Sequence, residues 1–246
     1  MRKPSPHISV SIGMRATLFV SLLLIQSCSL FSVKTYTWDW RRDHPEYHET
    51  AKAHILECAP QLLTTVPKDI TNYCPDYSQR SAEERLEFWG LFLSVVSWME
   101  SSHRTEHFYE EIGIIDSTGN NVTSRGLLQF SYESAKGYLP SLSSPEDLHD
   151  PNISLKVGAI ALKKFITSDC VISSGKKGSW KGAARYWSVV RNNPKHVQIQ
   201  DWLKGADRRN PKKNLIPPPP HLTPEDYTPW IKRVFSGTPK PEMSLE

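Results

Sequence analysis

Residues 81–100 constrain the fold of this 246-residue sequence most strongly. Ser81 stands three residues before Glu84, a capping-box pattern that marks the start of a helix. Large apolar residues then follow on almost every side of the helix: Leu86, Phe88, Trp89, Leu91, Phe92, Leu93, Val95, Val96, Trp98 and Met99. A helix that is apolar all round must be covered by other elements. The sequence therefore predicts a buried central helix with a folded body around it.

Weaker patterns predict the elements around this helix. An apolar helical period covers Glu49–Leu63, Asp150 caps a helix that begins at Pro151, and Ser179 is expected to cap another that runs to Arg191. Residues 112–123 are predicted to form a β-hairpin around a polar turn at residues 116–120. We expect a mostly α fold with a small β-hairpin beside the end of the central helix.

The first 27 residues have the pattern of a signal peptide. Arg15 is followed by ten uncharged residues that end at Ile25, a stretch too short to span a bilayer as a mature helix. The junction Ile25-Gln26-Ser27-Cys28 resembles a bacterial lipobox, in which the cysteine is lipidated after cleavage. We expect an exported protein, either a periplasmic lipoprotein, with the outer membrane as the expected location, or a freely secreted product. Residues 28–48 are expected to form a tether.

The carboxyl-terminal part differs in composition from the body at residues 49–205. Nine of the nineteen prolines lie between Pro211 and Pro241, and such a stretch favours extended polyproline conformation. Apolar residues with near-helical spacing follow the proline run between Tyr227 and Phe235. We expect residues 206–246 to form a proline-rich strap with one short helix.

Composition and cysteine spacing exclude several functional classes. Without its leader the chain carries a net charge of only +1, which gives no basic face for a nucleic-acid partner. Nothing resembles a Walker loop, a dinucleotide fingerprint or a CxxC zinc motif, so no cofactor and no metal are expected. Export permits a disulfide among Cys58, Cys74 and Cys170, and the sequence leaves all three pairings open.

Glu100 is the residue with the most distinctive chemistry. It follows the run Leu91–Met99, which contains no ionisable group, and Val96 and Leu93 precede it on the same helical face. Burial and the helix dipole both disfavour its charged form, so its pKa is expected to be raised. A carboxylic acid that stays protonated near neutrality is what glycosidic cleavage requires. The alternative is a glutamate that only marks where the helix meets water.

Four segments in order carry a resemblance to a known family: Met99-Glu100-Ser101-Ser102, Ser124 to Gln129, Asp150 to Leu162, and Ala184-Arg185-Tyr186. Over roughly Leu86–Arg191 the sequence resembles the lytic transglycosylase and goose-type lysozyme family. The resemblance implies a lysozyme-like helical fold. It also implies cleavage of the β-1,4 bond of peptidoglycan between N-acetylmuramic acid and N-acetylglucosamine.

The resemblance also assigns expected roles to individual residues. Glu100 matches the catalytic glutamate, and the expected substrate-binding residues are Ser101, Ser102, Gly126, Leu127, Gln129 and Tyr186, with the Tyr186 hydroxyl near the acid. His103 stands where the family often has an aromatic residue, and Trp187 replaces an asparagine. Trp187 is expected either to stack on a sugar or to fill the core.

The identity of a second catalytic acid is less constrained. Asp116 is the candidate, because a second carboxylate in the resembling lysozymes positions water, but an Asp in a turn can also simply cap it. Hydrolysis and the formation of an anhydro product both remain open. The acidic loop residues Glu106, Glu110 and Glu111 are either solvated or select a cationic sugar, such as the glucosamine of deacetylated peptidoglycan.

The expected partners are therefore peptidoglycan glycan strands, with a membrane involved only through the possible anchor and the chain expected as a monomer. Two other functions remain open at this point. A chitosanase-like hydrolase would use the same acid on a glucosamine polymer. A catalytically inactive lipoprotein would keep the fold and bind the cell wall without cutting it.

Overall fold

The computed structural model describes residues 38–207. The expected signal peptide, Cys28, residues 28–37 of the tether and residues 208–246 of the strap lie outside this range. The helices are α1 Trp40–Asp43, α2 Pro45–Cys58, α3 Gln61–Thr64, α4 Ala82–Ser101, α5 Tyr132–Lys136, α6 Pro151–Asp169 and α7 Pro194–Asp207. The strands are β1 Phe108–Ile115, β2 Asn121–Arg125, β3 Phe130–Ser131, β4 Ser173–Ser174 and β5 Lys181–Gly182. The predicted mostly α architecture is confirmed.

The central helix α4 begins and lies as predicted. The Ser81 hydroxyl accepts the Glu84 amide at 3.2 Å and the Glu84 carboxylate accepts the Ser81 amide at 2.9 Å, which completes the capping box. Trp89 is fully buried and donates its indole N–H to the Leu62 carbonyl oxygen at 3.0 Å. Helix α2 packs on both α4 and α6, so the longest apolar helix lies inside the helical body.

The folded body begins earlier than residue 49, so the predicted tether boundary is wrong. Trp38 and Trp40 belong to the core, with 2% and 0% of their surfaces exposed. The Ser94 hydroxyl in α4 donates to the Trp38 carbonyl oxygen at 2.6 Å and accepts the Trp40 amide at 3.2 Å. Burial of two indole rings and hydrogen bonding to the central helix fix this segment to the body.

The predicted hairpin is present and is longer than expected. Strands β1, β2 and β3 form an antiparallel sheet in that order. Glu111 pairs with Val122 and Ile115 with Asn121, so residues 112–114 form a bulge in β1. The chain returns from this sheet to α6, whose start is also as predicted, because Asp150 accepts the Asn152 amide at 2.8 Å.

The helix predicted from Ser179 to Arg191 does not form. The segment contains strand β5 and two short 3₁₀ turns, Ala183–Arg185 and Ser188–Val190. Gly182 has φ +65°, and its amide donates to the Asp169 carboxylate at 2.7 Å. The pairing of β5 with β4 and this bond to α6 hold the backbone away from helical geometry.

The three cysteines, Cys58, Cys74 and Cys170, are free thiols in the structure. Between residues 38 and 207 no helix has the length and apolar character needed to cross a bilayer. The same range holds no grouping of three His, Cys, Asp or Glu side chains suited to a metal ion.

Candidate active site

An open cleft of about 880 Å³ lies where the end of α4 meets the hairpin. Helix α4 contributes Glu100, strand β1 contributes Tyr109 and Glu111, and the short helix α5 contributes Glu133. The opposite wall comes from residues 185–195. The cleft therefore brings segments that are far apart in the sequence together around Glu100.

Glu100 is partly buried at the carboxyl-terminal end of α4 and faces this cleft. Burial raises its pKa to about 7, with the nearby Lys195 and Arg191 opposing the shift and Glu111 adding to it. Its carboxyl forms no hydrogen bond or ion pair with any residue between 38 and 207. The predicted raised pKa is therefore present, in a group free to donate its proton to a ligand.

Glu111 is the second acid of the cleft. It lies on β1 and its carboxylate accepts the Ser124 hydroxyl of β2 at 2.7 Å. Its charge acts on Glu100, which places the two carboxyl groups within electrostatic reach of each other. In the sequence Glu111 is recognisable only as one acid of the loop that also contains Glu106 and Glu110. Side chains alternate along β1, so Tyr109 and Glu111 lie on the same face of the strand. A strand predicted from Phe108 instead of from residue 112 would therefore have identified Glu111 as a cleft residue.

Asp116 does not reach the cleft. It lies in the hairpin turn, where its carboxylate accepts the Thr118 amide at 2.9 Å, the Thr118 hydroxyl at 2.7 Å and the Asn120 amide at 3.0 Å. These hydrogen bonds lower its pKa. They are the bonds of an Asp that caps its own turn, which was the alternative to a catalytic role.

Three of the expected substrate-binding residues do not line the cleft. Ser101 is buried, and its hydroxyl donates to the carbonyl oxygens of Ser97 and Leu127. Leu127 is fully buried in the core. Ser102 ends the helix in the left-handed region, with φ 54°, and its amide donates to the Ser97 and Trp98 carbonyl oxygens. These residues shape the end of α4, and the predicted contact with substrate is wrong for Ser101 and Leu127.

Gly126 and Gln129 form the turn that closes the floor of the cleft. Gly126 has φ +72°, and a Cβ at this position would lie 1.9 Å from the Leu148 carbonyl oxygen. Gln129 also has a positive φ, and its side-chain nitrogen donates to the carbonyl oxygens of His107 and Gly126. Gln129 lines the cleft, whereas Gly126 acts through close backbone approach.

Tyr186 and Trp187 are adjacent in sequence but have different surroundings. The Tyr186 hydroxyl accepts the Ser131 amide at 2.9 Å and donates to the Gln129 carbonyl oxygen at 3.3 Å, so it holds the cleft wall rather than Glu100. Trp187 is 1% exposed and donates its indole N–H to the Leu128 carbonyl oxygen at 3.0 Å. Of its two predicted roles, the core position is the one observed.

The acidic loop is divided by the strand geometry. Only Glu111 faces the cleft, while Glu110 accepts the Asn121 side-chain amide and Glu106 accepts the Thr105 hydroxyl. The cleft instead gains Glu133 from α5, and it also contains the cationic side chains of Arg185, Arg191 and Lys195. Arg185 is paired with Asp169 at 2.6 Å. These charged residues are far from Glu100 in the sequence, and only the tertiary fold brings them into the same cleft.

Comparison with known proteins finds similarity to solved structures of one bacterial protein. No protein-family model matches the sequence, and no curated protein matches it. Solved structures of the Bdellovibrio protein DslA (Bd0314) do match. Its wild-type form is 36% identical with a TM-score of 0.62, over 66% of this chain and 90% of that one. A glutamate-to-glutamine variant of DslA is 35% identical with a TM-score of 0.63, over 67% and 93% of the two chains, and a second such variant matches similarly.

Proposed function

The chain belongs to the family of the Bdellovibrio protein DslA, and we propose that it is a glycosidase that cleaves peptidoglycan strands. The bond cut is the β-1,4 linkage between N-acetylmuramic acid and N-acetylglucosamine. One observation carries the proposal: Glu100 is a partly buried carboxyl group with its pKa raised to about 7, unpartnered by the described residues and facing an open cleft beside a second carboxylate. This pairing is what glycoside hydrolysis uses.

In the proposed reaction Glu100 acts as general acid. Its proton passes to the glycosidic oxygen as the bond between that oxygen and the anomeric carbon of the muramyl sugar breaks. Glu111, held by the Ser124 hydroxyl, orients the water whose oxygen bonds to the same carbon, and the water's proton returns to a carboxylate. The products are two strands, one of which ends in a reducing sugar. Glu111 takes the role that the sequence had suggested for Asp116.

The DslA structures add support for two glutamates acting together. Two of them are variants in which a single glutamate is replaced by glutamine, and the two replaced positions lie eleven residues apart in that protein. Glu100 and Glu111 are also eleven residues apart here. The spacing supports treating these two residues as the pair on which the proposed activity depends.

We also propose a preference for deacetylated strands. Glu111 and Glu133 face the cleft, and a glucosamine ammonium would complement their charge. Arg191 and Lys195 lie in the same cleft and would repel the ammonium group, which opposes this preference. Of the acidic loop only Glu111 faces the cleft, so the proposed preference rests on Glu111 and Glu133 and not on the loop as a whole.

The test is digestion of purified sacculi followed by mass spectrometry of the products. Wild-type protein is expected to release muropeptides with reducing ends, and Glu100→Gln, which keeps the size but cannot donate the proton, should lower the rate by roughly a hundredfold or more. Glu111→Gln should cause a similar loss. Asp116→Asn is the matched control and should stay within a few-fold of wild type, since its bonds are confined to the turn.

Several outcomes would contradict the proposal. Near-normal activity of Glu100→Gln would remove its central assignment, and products lighter by one water would replace hydrolysis with an anhydro-forming reaction. Release of sugars from chitosan but not from sacculi would favour the chitosanase-like alternative, and binding without cleavage would favour the inactive one. Equal rates on acetylated and deacetylated sacculi at low salt would reject only the proposed preference.

The proposed location rests on the leader alone. We propose export with lipidation at Cys28, which would hold the enzyme at a membrane surface. Wild-type protein expressed in a bacterium should then fractionate with membranes, and Cys28→Ala should be released or remain unprocessed. A soluble wild-type product that is indifferent to Cys28→Ala would show that the lipobox interpretation is wrong.

A further inference from the structure

A second basin of about 800 Å³ lies on the other side of the hairpin from Glu100. It shares Val122, Ser131 and Glu133 with the catalytic cleft, so the two spaces meet along a common wall. Alternation along β2 divides the side chains between them. Ser124 faces the cleft, whereas Thr123 and Arg125 face the second basin.

Arg125 is the unusual residue of this basin. Its Nε is buried and has no hydrogen-bond partner, and its guanidinium forms no ion pair with any residue from 38 to 207. A buried donor left without an acceptor is rare and destabilising, and water, an ion or a ligand can supply the missing acceptor. The guanidinium fork matches the geometry of a carboxylate or a phosphate, and the strand of the proposed substrate carries carboxylates.

The other charged groups of the basin already have partners. Lys136 donates to the Tyr132 hydroxyl at 3.0 Å and lies over the Tyr132 ring. Glu133 accepts the Ser117 amide at 2.9 Å, and Asp116 caps its own turn. Arg125 is therefore the cation whose hydrogen-bonding capacity is unused, as judged over the part of the chain that the structure describes.

We propose that Arg125 binds a carboxylate carried on the side arm of the muramyl residue while the sugar chain occupies the catalytic cleft. This inference rests on the proposed function. In peptidoglycan each muramyl sugar bears a lactyl arm, which ends either in a free carboxylate or in a stem peptide with its own carboxylates. A strand lying in the cleft can extend this arm across the shared wall of Ser131 and Glu133 into the second basin.

The experiment compares three preparations of the same strands: strands with stem peptides, the same strands with their carboxyls coupled to neutral amides, and peptide-free strands with free lactyl carboxylates. KM is measured for wild type, Arg125→Gln, Arg125→Lys and Lys136→Gln. Lys136→Gln is the matched control, because it removes a cation from the same basin that already has a partner. Thermal melting of each variant reports its folding.

Wild type should bind carboxylate-bearing strands about tenfold better than amidated strands, as expected for one charge-assisted pair. Arg125→Gln should abolish this difference without changing KM for amidated strands, Arg125→Lys should keep part of it, and Lys136→Gln should keep all of it. A rise of KM in Arg125→Gln for the stem-bearing strands alone identifies the stem carboxylate, and a rise for the peptide-free strands alone identifies the lactyl carboxylate. A rise for both of these but not for the amidated strands shows that Arg125 accepts either carboxylate.

An equal rise in KM on all three substrates in Arg125→Gln, or an equal effect of Lys136→Gln, would overturn the assignment. If Arg125→Gln does not fold, Arg125→Lys decides, because unchanged discrimination in that variant would also overturn it. Failure of wild type to cut any of the three strands would reject the proposed function. In that case the role of Arg125 is still tested by measuring how stem-bearing and amidated strands bind to Glu100→Gln and to Glu100→Gln/Arg125→Gln. A preference of Glu100→Gln for stem-bearing strands that is lost in the double variant supports the role of Arg125. Equal preference in the two variants rejects it.

Discussion

At the scale of single residues, Glu100 illustrates how a helix can hold a carboxyl group where its charged form is disfavoured. The carboxyl group lies at the carboxyl-terminal end of α4, after residues that provide no counter-charge along the helix. Two cations, Arg191 and Lys195, reach it from the opposite wall, but burial outweighs them. The protonated form is therefore populated near neutrality, which is the form that the proposed reaction needs.

The raised pKa of Glu100 predicts that rising pH lowers both the activity and the stability of the protein. Activity on sacculi should fall as pH rises above about 7, since only the protonated acid can donate. Stability should also fall as pH rises from about 4.5 to about 7, because the folded state binds the proton more tightly than the unfolded state in that window. Glu100→Gln should therefore exceed wild type in stability above pH 7, by on the order of 3 kcal/mol at most.

Rate profiles and urea unfolding at several pH values measure both effects. If wild type and Glu100→Gln unfold at the same urea concentration at every pH, the carboxyl group is not destabilised in the folded protein.

At the scale of elements, the junction between β2 and β3 determines the shape of the cleft floor. Gly126 turns the chain with a positive φ immediately after Arg125, and its amide donates to the His107 carbonyl oxygen at 2.8 Å. Leu127 and Leu128 then enter the core, and Gln129 returns to the cleft. Because of this turn, one short segment contributes Arg125 to the second basin, Leu127 and Leu128 to the core, and Gln129 to the cleft.

Gly126→Ala is predicted to destabilise the protein by more than backbone strain alone. The left-handed φ costs about 1–2 kcal/mol for an alanine, and the new Cβ would collide with the Leu148 backbone oxygen. Gly119→Ala is the matched control, because Gly119 has φ +87° with nothing within 4 Å of the added Cβ. Urea denaturation should show a loss for Gly126→Ala that exceeds the loss for Gly119→Ala by about 1–3 kcal/mol. Equal losses would mean that the backbone can move at Leu148 without cost.

At the scale of the whole molecule, the first described residues pack around the end of the central helix α4. The Trp38 ring stacks on Trp202 of α7, with centroids 5.6 Å apart. His103 joins the same region to α4: its Nε2–H donates to the Trp38 carbonyl oxygen at 3.2 Å, and its Nδ1 accepts the Ser97 hydroxyl at 2.9 Å. Both ends of the described chain therefore support the segment that carries Glu100.

Burial lowers the pKa of His103 to about 4, and this predicts acid sensitivity. The unfolded histidine takes up a proton near pH 6.5 while the folded one stays neutral, so stability should fall as pH decreases from about 6.5 to about 4. The measurement is best made in the Glu100→Gln background, which removes the opposite effect of that carboxyl. There, His103→Gln should reduce stability at neutral pH but show a shallower decline towards pH 4. Parallel declines with and without His103 would assign the acid sensitivity to other groups.

The sequence by itself determined the features that depend on neighbouring residues. The capping box at Ser81, the apolar circumference of α4, the Asp150 cap and the hairpin were all predictable, because helix starts and turns are fixed by side chains within four residues. Glu100 was found for the same reason. The apolar helix that precedes it is visible in the sequence and predicts the burial that raises its pKa.

The tertiary structure alone decided which side chains share a space. Asp116 and Glu111 are both acids of one hairpin, but the register and bulge of β1 and β2 direct only Glu111 towards Glu100. Bonds to Asp169 kept residues 182–185 out of an α-helix, and Trp38 and Trp187 were placed by core contacts distant in sequence. Such placements depend on long-range burial and pairing, which compete with local preferences and can override them.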